Sequence, residues 1–191
     1  MALYPNTRRT LLEKIKTGDQ ISWNEFYDRY SPVIRIIGLK SGIRENDIED
    51  LVQEVMQSFF KSVDHFCYDP AKARFRTYFN RIIRSRICDI FRRQDESATD
   101  LQNDDKDNSF EIIFDEQWRA LILNEALSAL KERVKPQTYL AYTLTEYEMW
   151  ETKRAAEFLG ISENSVYVGR KRCQEFLKKK IIELSDGDPV F

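Results

Sequence analysis

The sequence predicts an all-α protein of two small helical domains joined by a flexible acidic linker, the second domain being a helix-turn-helix. Three observations support this prediction. Apolar residues recur at three- and four-residue steps along most of the chain, which is the period of a helix face. A polar, acidic stretch interrupts that pattern near the middle. No segment shows the run of alternating residues that is typical of a strand.

The composition is ordinary for a soluble globular protein. Of the 191 residues 42% are hydrophobic and 32% are charged, and the formal net charge is -2. No apolar run approaches the roughly 20 residues that a membrane span needs, and the N-terminus lacks the apolar segment of a signal peptide. We therefore expect a cytoplasmic protein with no membrane insertion.

Catalysis and metal binding find little support among the reactive residue types. Cys67, Cys88 and Cys173 are far apart and lack the paired spacing of a zinc site or a disulfide framework, so buried thiols are the simpler interpretation. His65 is the only histidine, and the sequence shows no catalytic serine or cysteine motif in which it could act as a base. No glycine-rich phosphate loop is present. We expect no catalytic residues, no metal and no cofactor.

The first domain is predicted to span residues 1–93 and to begin with two helices. Arg8 to Lys16 forms a short helix, and Ser22 can cap a second one. Pro32 falls inside the second pattern, which predicts a kink or a restart at Ser31.

The third predicted helix, from about Glu45 to Phe66, is the strongest periodic segment. One face is an apolar stripe that predicts core packing, formed by Ile48, Leu51, Val52, Val55, Met56, Phe59, Phe60 and Val63. The opposite face is polar and includes Asp50, Gln53, Glu54 and Gln57. That face is either solvated or a docking surface for another protein.

Basic and aromatic residues interleave most densely between Phe66 and Arg93. Asp69-Pro70 indicates a loop, and a basic amphipathic helix follows it. Cations that meet phosphates, with rings that meet bases, favour a nucleic-acid surface. A solvated basic face with aromatics in the core is the alternative. The candidate contact residues are Lys72, Arg74, Phe75, Arg76, Tyr78, Asn80, Arg81 and Arg84.

Residues 94–113 are predicted to be a flexible linker, because acids and polar residues dominate and too little apolar surface is available to order the segment. A second domain is predicted over residues 114–185. In it Thr152 can cap a helix, Gly160 turns the chain, and Ser162 caps a basic helix. This spacing indicates a helix-turn-helix, with a plain helical hairpin as the alternative.

The order of these parts resembles the extracytoplasmic-function (ECF) sigma factors of bacterial RNA polymerase, over nearly the whole chain. The motifs that carry the resemblance are Trp23-x-x-Phe26-Tyr27-x-x-Tyr30, Asp47-Ile48-Glu49-Asp50-Leu51-Val52-Gln53-Glu54-Val55, Phe75-Arg76-Thr77-Tyr78-Phe79-x-Arg81-Ile82 and the terminal helix-turn-helix. Two departures stand out. Tyr78 stands where tryptophan is common, and Gly169-Arg170 replaces a larger polar residue and a leucine.

The resemblance implies a sigma factor without catalysis of its own, and it implies partners. Asp50, Gln53, Glu54 and Gln57 match the surface that docks on the clamp helices of the largest polymerase subunit. The flap of the second subunit, promoter DNA and an anti-sigma factor are the further candidate partners. The loop and basic helix match the part that engages and opens the minus-ten element. The terminal domain matches the reader of the minus-thirty-five element.

Charge alone cannot open the DNA, because single strands carry a lower charge density than duplex. Stacking a base on an aromatic ring contributes about 1–3 kcal/mol, against roughly 1.4 kcal/mol for each duplex step that is lost. We hypothesise that Arg74, Arg76, Arg81 and Arg84 hold phosphates while Phe75 or Tyr78 stacks on unpaired bases. Core packing is the rival role for both rings.

In the terminal domain, Asn164, Ser165 and Tyr167 lie early in the second helix of the motif, where side chains reach base edges in the major groove. Arg170, Lys171 and Arg172 would add phosphate contacts. A free-standing helix-turn-helix regulator is the alternative function for the whole chain.

Overall fold

The computed structural model describes residues 8–63, 75–94 and 104–185. The regular elements in these ranges are a short 3-10 turn at Glu45–Asp47 and the helices α1 (Arg8–Lys16), α2 (Gln20–Lys40), α3 (Ile48–Ser62), α4 (Phe75–Gln94), α5 (Asp104–Arg133), α6 (Pro136–Glu146), α7 (Thr152–Leu159) and α8 (Glu163–Ser185). Within these ranges no strand occurs, and the all-α prediction is confirmed. None of the described helices is long and apolar enough to cross a membrane.

The described chain divides into an N-terminal unit that ends at Leu121 and a C-terminal unit that begins at Ile122. This division lies inside α5, whereas the sequence predicted a linker at 94–113. Residues 104–113 are helical, and the prediction of a flexible linker is corrected for them. The prediction began the second domain at Phe114 and overlooked Phe110, which continues the four-residue spacing of Phe114 and Trp118; the three rings are 8%, 0% and 0% exposed. Residues 95–103 lie outside the described ranges.

α2 differs from its prediction at two points. Its first turn is capped by Asp19, whose carboxylate accepts a hydrogen bond from the Ser22 backbone N–H at 2.8 Å. The helix is continuous through Pro32, so no restart occurs at Ser31. Pro32 and Asp28 are both exposed, so water can solvate the Asp28 carbonyl that lacks a helical donor.

Aromatic rings from four helices form the core of the N-terminal unit. Phe26 of α2 stacks on Phe59 of α3, with ring centroids 4.2 Å apart. Phe75 and Phe79 of α4 stack on each other at 5.3 Å. Trp118 of α5 lies 6.0 Å from Phe75 and is fully buried. Such pairs contribute about 0.5–1.5 kcal/mol each beyond the burial of their area, so this cluster holds α2, α3, α4 and the first part of α5 together.

The apolar stripe of α3 is buried as predicted, with one exception. Phe60 is 56% exposed and lies outside the core. Its ring contacts Trp23 edge to face at 5.3 Å, on the outer side of the aromatic cluster.

The C-terminal unit has two apolar clusters that share α6 and α8. Leu130, Tyr142 and Cys173 are in the first cluster, where the end of α5 packs on both helices. Ala155 and Val166 are in the second, where α7 packs on α6 and α8.

Candidate polymerase and nucleic-acid interfaces

The polar face of α3 is a surface, as predicted, but its residues differ in their contacts. Asp50, Gln53 and Gln57 are exposed. Glu54 is partly buried and accepts a hydrogen bond from the Arg93 guanidinium at 2.7 Å. The face therefore offers one carboxylate and two amides to a partner, with a second carboxylate already engaged inside the unit.

A groove of about 640 Å³ adjoins this face, between the start of α2 and α3. Gln53 and Gln57 lie on one side of it, and Trp23, Tyr27 and Phe60 supply apolar surface. The predicted apolar stripe placed Phe60 in the core, and the groove was not predicted. Helical spacing alone cannot tell that the Phe60 ring lies at the edge of its stripe.

A bidentate ion pair fixes the rim of that groove. The Arg35 guanidinium donates to both carboxylate oxygens of Glu49 at 2.8 and 2.7 Å, which joins α2 to α3. The same hydrogen bonds lower the pKa of the Glu49 carboxyl below its usual range and raise the pKa of Arg35. Glu49 is therefore a charged structural partner at neutral pH.

On α4 the two candidate rings have different positions. Phe75 is 1% exposed and packed among other aromatics, so it is a core residue rather than a surface for bases. Tyr78 is half-buried, and its ring edge meets Phe59 at 6.3 Å. Its hydroxyl shares a hydrogen bond with the Ser62 hydroxyl, and burial raises the pKa of the phenol. Of the two, only Tyr78 has a ring near the surface.

Two other candidates on α4 have partners on α5. The Arg76 guanidinium forms an ion pair with Asp115 and lies 5.4 Å from the centroid of the Phe114 ring. Asn80 is 8% exposed and donates to the Glu111 carboxylate at 3.0 Å. Neither partner was anticipated, because Glu111 was predicted to lie in the flexible linker and Asp115 in the other domain.

The remaining cations of α4 include the most accessible ones. Arg81 is exposed and Arg84 is half-buried. Asp89 pairs with Arg86 at 3.0 Å and with Arg92 at 3.5 Å, so the end of the helix is partly neutralised. Lys72 and Arg74 lie outside the described residues.

In the C-terminal unit, α7 and α8 form the predicted helix-turn-helix. Gly160 closes α7 in the left-handed conformation, with φ of 64°, where a side chain would be strained. The Ile161 N–H then donates to the Ala156 carbonyl at 3.1 Å. Ser162 caps α8, as predicted, through a hydrogen bond from the Ser165 N–H to its hydroxyl at 3.1 Å.

The start of α8 presents the predicted reading residues to solvent. Asn164, Ser165 and Tyr167 are exposed, while Val166 between them is fully buried against α7. This alternation fixes which side of the helix faces outward. The side chains at the surface can donate and accept hydrogen bonds, as base-edge recognition requires.

The phosphate candidates further along α8 separate into two groups. Lys171 and Arg172 are exposed. Arg170 instead donates to Glu146 of α6 at 3.1 Å. Gly169 is buried, and a β-carbon there would lie 3.2 Å from the Thr138 side chain, so glycine permits close packing of α8 on α6. The helix continues through this residue despite its low helix propensity.

Comparison with known proteins shows two relationships in sequence and one in structure. Residues 26–97 match the family model of Sigma-70 region 2. The ECF RNA polymerase sigma factor SigE of Mycolicibacterium smegmatis is 24% identical over 185 residues, which cover 90% of this chain and 68% of that protein. The structure of CnrH in complex with the cytosolic domain of CnrY aligns with a TM-score of 0.40 and 19% identity, over 96% of this chain and 99% of that chain.

The matched range contains the α3 face and the whole of α4, and these define a sigma-factor core domain. Residues 26–97 therefore form a region 2 domain of the sigma-70 family, and the chain is similar to an extracytoplasmic-function member of that family over 90% of its length. Proteins of this family are transcription initiation factors. Among the described residues no group of three or more histidine, cysteine and acidic side chains could hold a metal ion.

Proposed function

We propose that this chain joins core RNA polymerase through the polar face of α3 and brings it to promoter DNA through α4 and α8. The observation that carries the proposal is the exposure of Asp50, Gln53 and Gln57 on one face of α3, within the range that matches Sigma-70 region 2. In a free-standing DNA-binding regulator this face would simply be solvated. We assign it to the clamp helices of the largest polymerase subunit.

For the minus-ten element we propose that Arg81 and Arg84 bind phosphates and that Tyr78 supports an unpaired base. Cations bind duplex more strongly than single strands, so the arginines hold DNA without opening it. A ring that captures one extruded base contributes about 1–3 kcal/mol, which is enough to offset roughly 1.4 kcal/mol for a lost duplex step. Tyr78 is suited to this role because it is only half-buried.

For the minus-thirty-five element we propose that α8 enters the major groove with its first turns. Asn164 can form paired hydrogen bonds with an adenine edge, and Lys171 and Arg172 can bind the phosphates alongside. The flap of the second polymerase subunit is the proposed partner of the C-terminal unit. An anti-sigma factor is a further proposed partner, and we place the activity in the cytoplasm with the DNA.

Run-off transcription with core polymerase on a library of genomic fragments tests the proposal. The complete chain should yield discrete transcripts that core polymerase alone does not make. A variant with Gln53→Ala and Gln57→Ala keeps every described core contact. It should yield few of these transcripts. If the complete chain fails to join core polymerase, the proposal is wrong.

A gel shift without polymerase distinguishes the proposed sigma factor from the alternative, a free-standing regulator. A free-standing helix-turn-helix protein binds its operator unaided, usually as a dimer on a palindrome. A polymerase-free shift of a single palindromic fragment at physiological salt would favour it.

A further inference from the structure

Two carboxylates of α5 are paired with two predicted DNA-contact residues of α4. Asp115 pairs with Arg76, and Glu111 accepts from Asn80 at 3.0 Å. Arg76 and Asn80 are four residues apart on α4, and Glu111 and Asp115 are four residues apart on α5. Both contacts therefore form along one line where α5 passes α4. All four residues belong to the N-terminal unit.

Asp115 binds a guanidinium that a phosphate could otherwise bind. The Arg76 side chain is 17% exposed and that of Asp115 is 33% exposed, so solvent reaches both partners of the ion pair. A carboxylate and a phosphate offer the same kind of charged oxygen acceptor to the guanidinium fork. A phosphate that approaches the Nη2 group of Arg76 therefore competes with the carboxylate for its donors.

This part of α5 is anchored, so it cannot simply move away. Phe114 and Trp118 flank Asp115 on the helix and are both fully buried. Trp118 stacks on Tyr30 with ring centroids 6.0 Å apart. DNA would therefore have to displace the acidic side chains while the helix backbone stays in place.

We propose that Asp115 is an internal competitor for DNA, which holds Arg76 until a promoter phosphate replaces it, and that the neighbouring charge of Glu111 adds to the repulsion of DNA. The inference rests on the proposed DNA-binding function of α4 and adds its regulation. It predicts that the acids weaken binding of the sigma factor to unrelated DNA.

The test uses the complete chain and a fluorescein-labelled DNA duplex of unrelated sequence, with binding followed by anisotropy at one low salt concentration. Asp115→Asn should bind about 1.5- to 5-fold more tightly than wild type, the range that corresponds to a partly exposed ion pair. Glu116→Gln is the matched control. It removes the same charge from the next residue, whose partner is Lys40 at 3.1 Å, and it should give a smaller gain.

A double-mutant cycle connects the gain to Arg76. In an Arg76→Gln background, Asp115→Asn should add no more than Glu116→Gln does. Glu111→Gln, which keeps an acceptor for Asn80 but loses the charge, serves as the second variant if Asp115→Asn does not fold, as judged by its circular-dichroism melting curve. It should also tighten binding more than the control.

Arg81→Gln and Arg84→Gln separate failure of this inference from failure of the proposed function. Suppose that they weaken DNA binding, while Asp115→Asn raises the affinity no more than the control does or lowers it. The competition proposal is then wrong, and the DNA-binding role of α4 is retained. If neither arginine affects binding, the DNA-binding role of α4 is wrong, and the inference falls with it.

Discussion

The Arg93 guanidinium at the end of α4 donates to the Glu54 carboxylate in the middle of α3, with the two atoms 2.7 Å apart. Glu54 is therefore both a member of the proposed polymerase-binding face and a structural partner of α4. Its side chain is 28% exposed, while Gln53 beside it is exposed. Two neighbouring residues of one sequence motif thus differ in their contacts and exposure.

We predict that Gln53→Ala weakens binding to core polymerase without changing the stability of the chain. Glu54→Ala should instead lower the free energy of unfolding by about 0.2–1 kcal/mol, because it removes a partly exposed ion pair. Arg93→Ala is the control and should cost a similar amount. Urea denaturation and anisotropy with labelled chain measure the two quantities. An unstable Gln53→Ala variant would contradict the assignment.

Gly38 marks a close approach of α2 to α3. A β-carbon at this residue would lie 2.5 Å from Leu51 Cδ2 and 3.0 Å from Ile48 Cδ1. Overpacking of this kind costs about 1–3 kcal/mol, of which the higher helix propensity of alanine recovers about 1. We predict that Gly38→Ala lowers the free energy of unfolding by up to about 2 kcal/mol, measured by urea denaturation.

A second background tests the cause of that loss. Leu51→Val removes both δ-carbons, so Gly38→Ala should cost less in that background than in wild type. An equal loss in both would rule out the clash with Leu51.

Helical periodicity predicted most of the fold because it records which side of each helix is buried. The stripe of α3 and the turn at Gly160 are examples, since each depends on neighbours in sequence. The extent of α5 could not be predicted in this way. Its acidic first turns resemble a linker, and only the burial of Phe110 and Phe114 in the N-terminal unit shows why the segment is ordered.

The sequence predicted the candidate sites as surfaces, but it did not predict the ion pairs that their basic residues form within the protein. A basic residue on a helix face gives no local sign of its partner. Arg76 pairs with Asp115, 39 positions later in the chain. Arg170 of α8 pairs with Glu146 of α6. Phe75 likewise carries no local sign that separates a core ring from one that stacks on bases.

The two described cysteines should differ in reactivity. Cys173 is fully buried, and burial raises the pKa of its thiol, so less of the reactive thiolate is present at a given pH. Cys88 is only half-buried. We predict that iodoacetamide modifies Cys88 first, and that the Cys173 rate keeps rising with pH above about 8.5, the usual cysteine pKa. Peptide mass spectrometry measures both rates, and in urea they should converge. Equal rates in the native chain would contradict the burial of Cys173.

Tyr78 should contribute to promoter opening through its ring rather than its hydroxyl. Permanganate footprinting of the complex with core polymerase should show lower thymine reactivity in the minus-ten element for Tyr78→Ala. Tyr78→Phe keeps the ring and loses the hydroxyl that shares a hydrogen bond with Ser62, so its thymine reactivity should stay near that of wild type. Unchanged reactivity in Tyr78→Ala would leave core packing as the role of the ring.

Asn164 and Lys171 should affect DNA binding in different ways, although both are exposed on α8. Asn164 lies in the first turn of α8, so Asn164→Ala should change sequence preference at one base pair, with a loss of about 1–3 kcal/mol on the preferred base. Lys171→Ala should weaken binding to all sequences alike and flatten the dependence of log K on log salt by about 0.9, since one phosphate contact is lost.

Binding of the complex with core polymerase to a library of minus-thirty-five variants, repeated across salt concentrations, measures both effects. Arg170→Ala is the control, because Arg170 pairs with Glu146. It should lower the stability of the C-terminal unit and leave the salt dependence nearly unchanged. If Lys171→Ala altered sequence preference and Asn164→Ala altered the salt dependence, α8 would lie in the groove in another orientation, because its first turn would then face the phosphates.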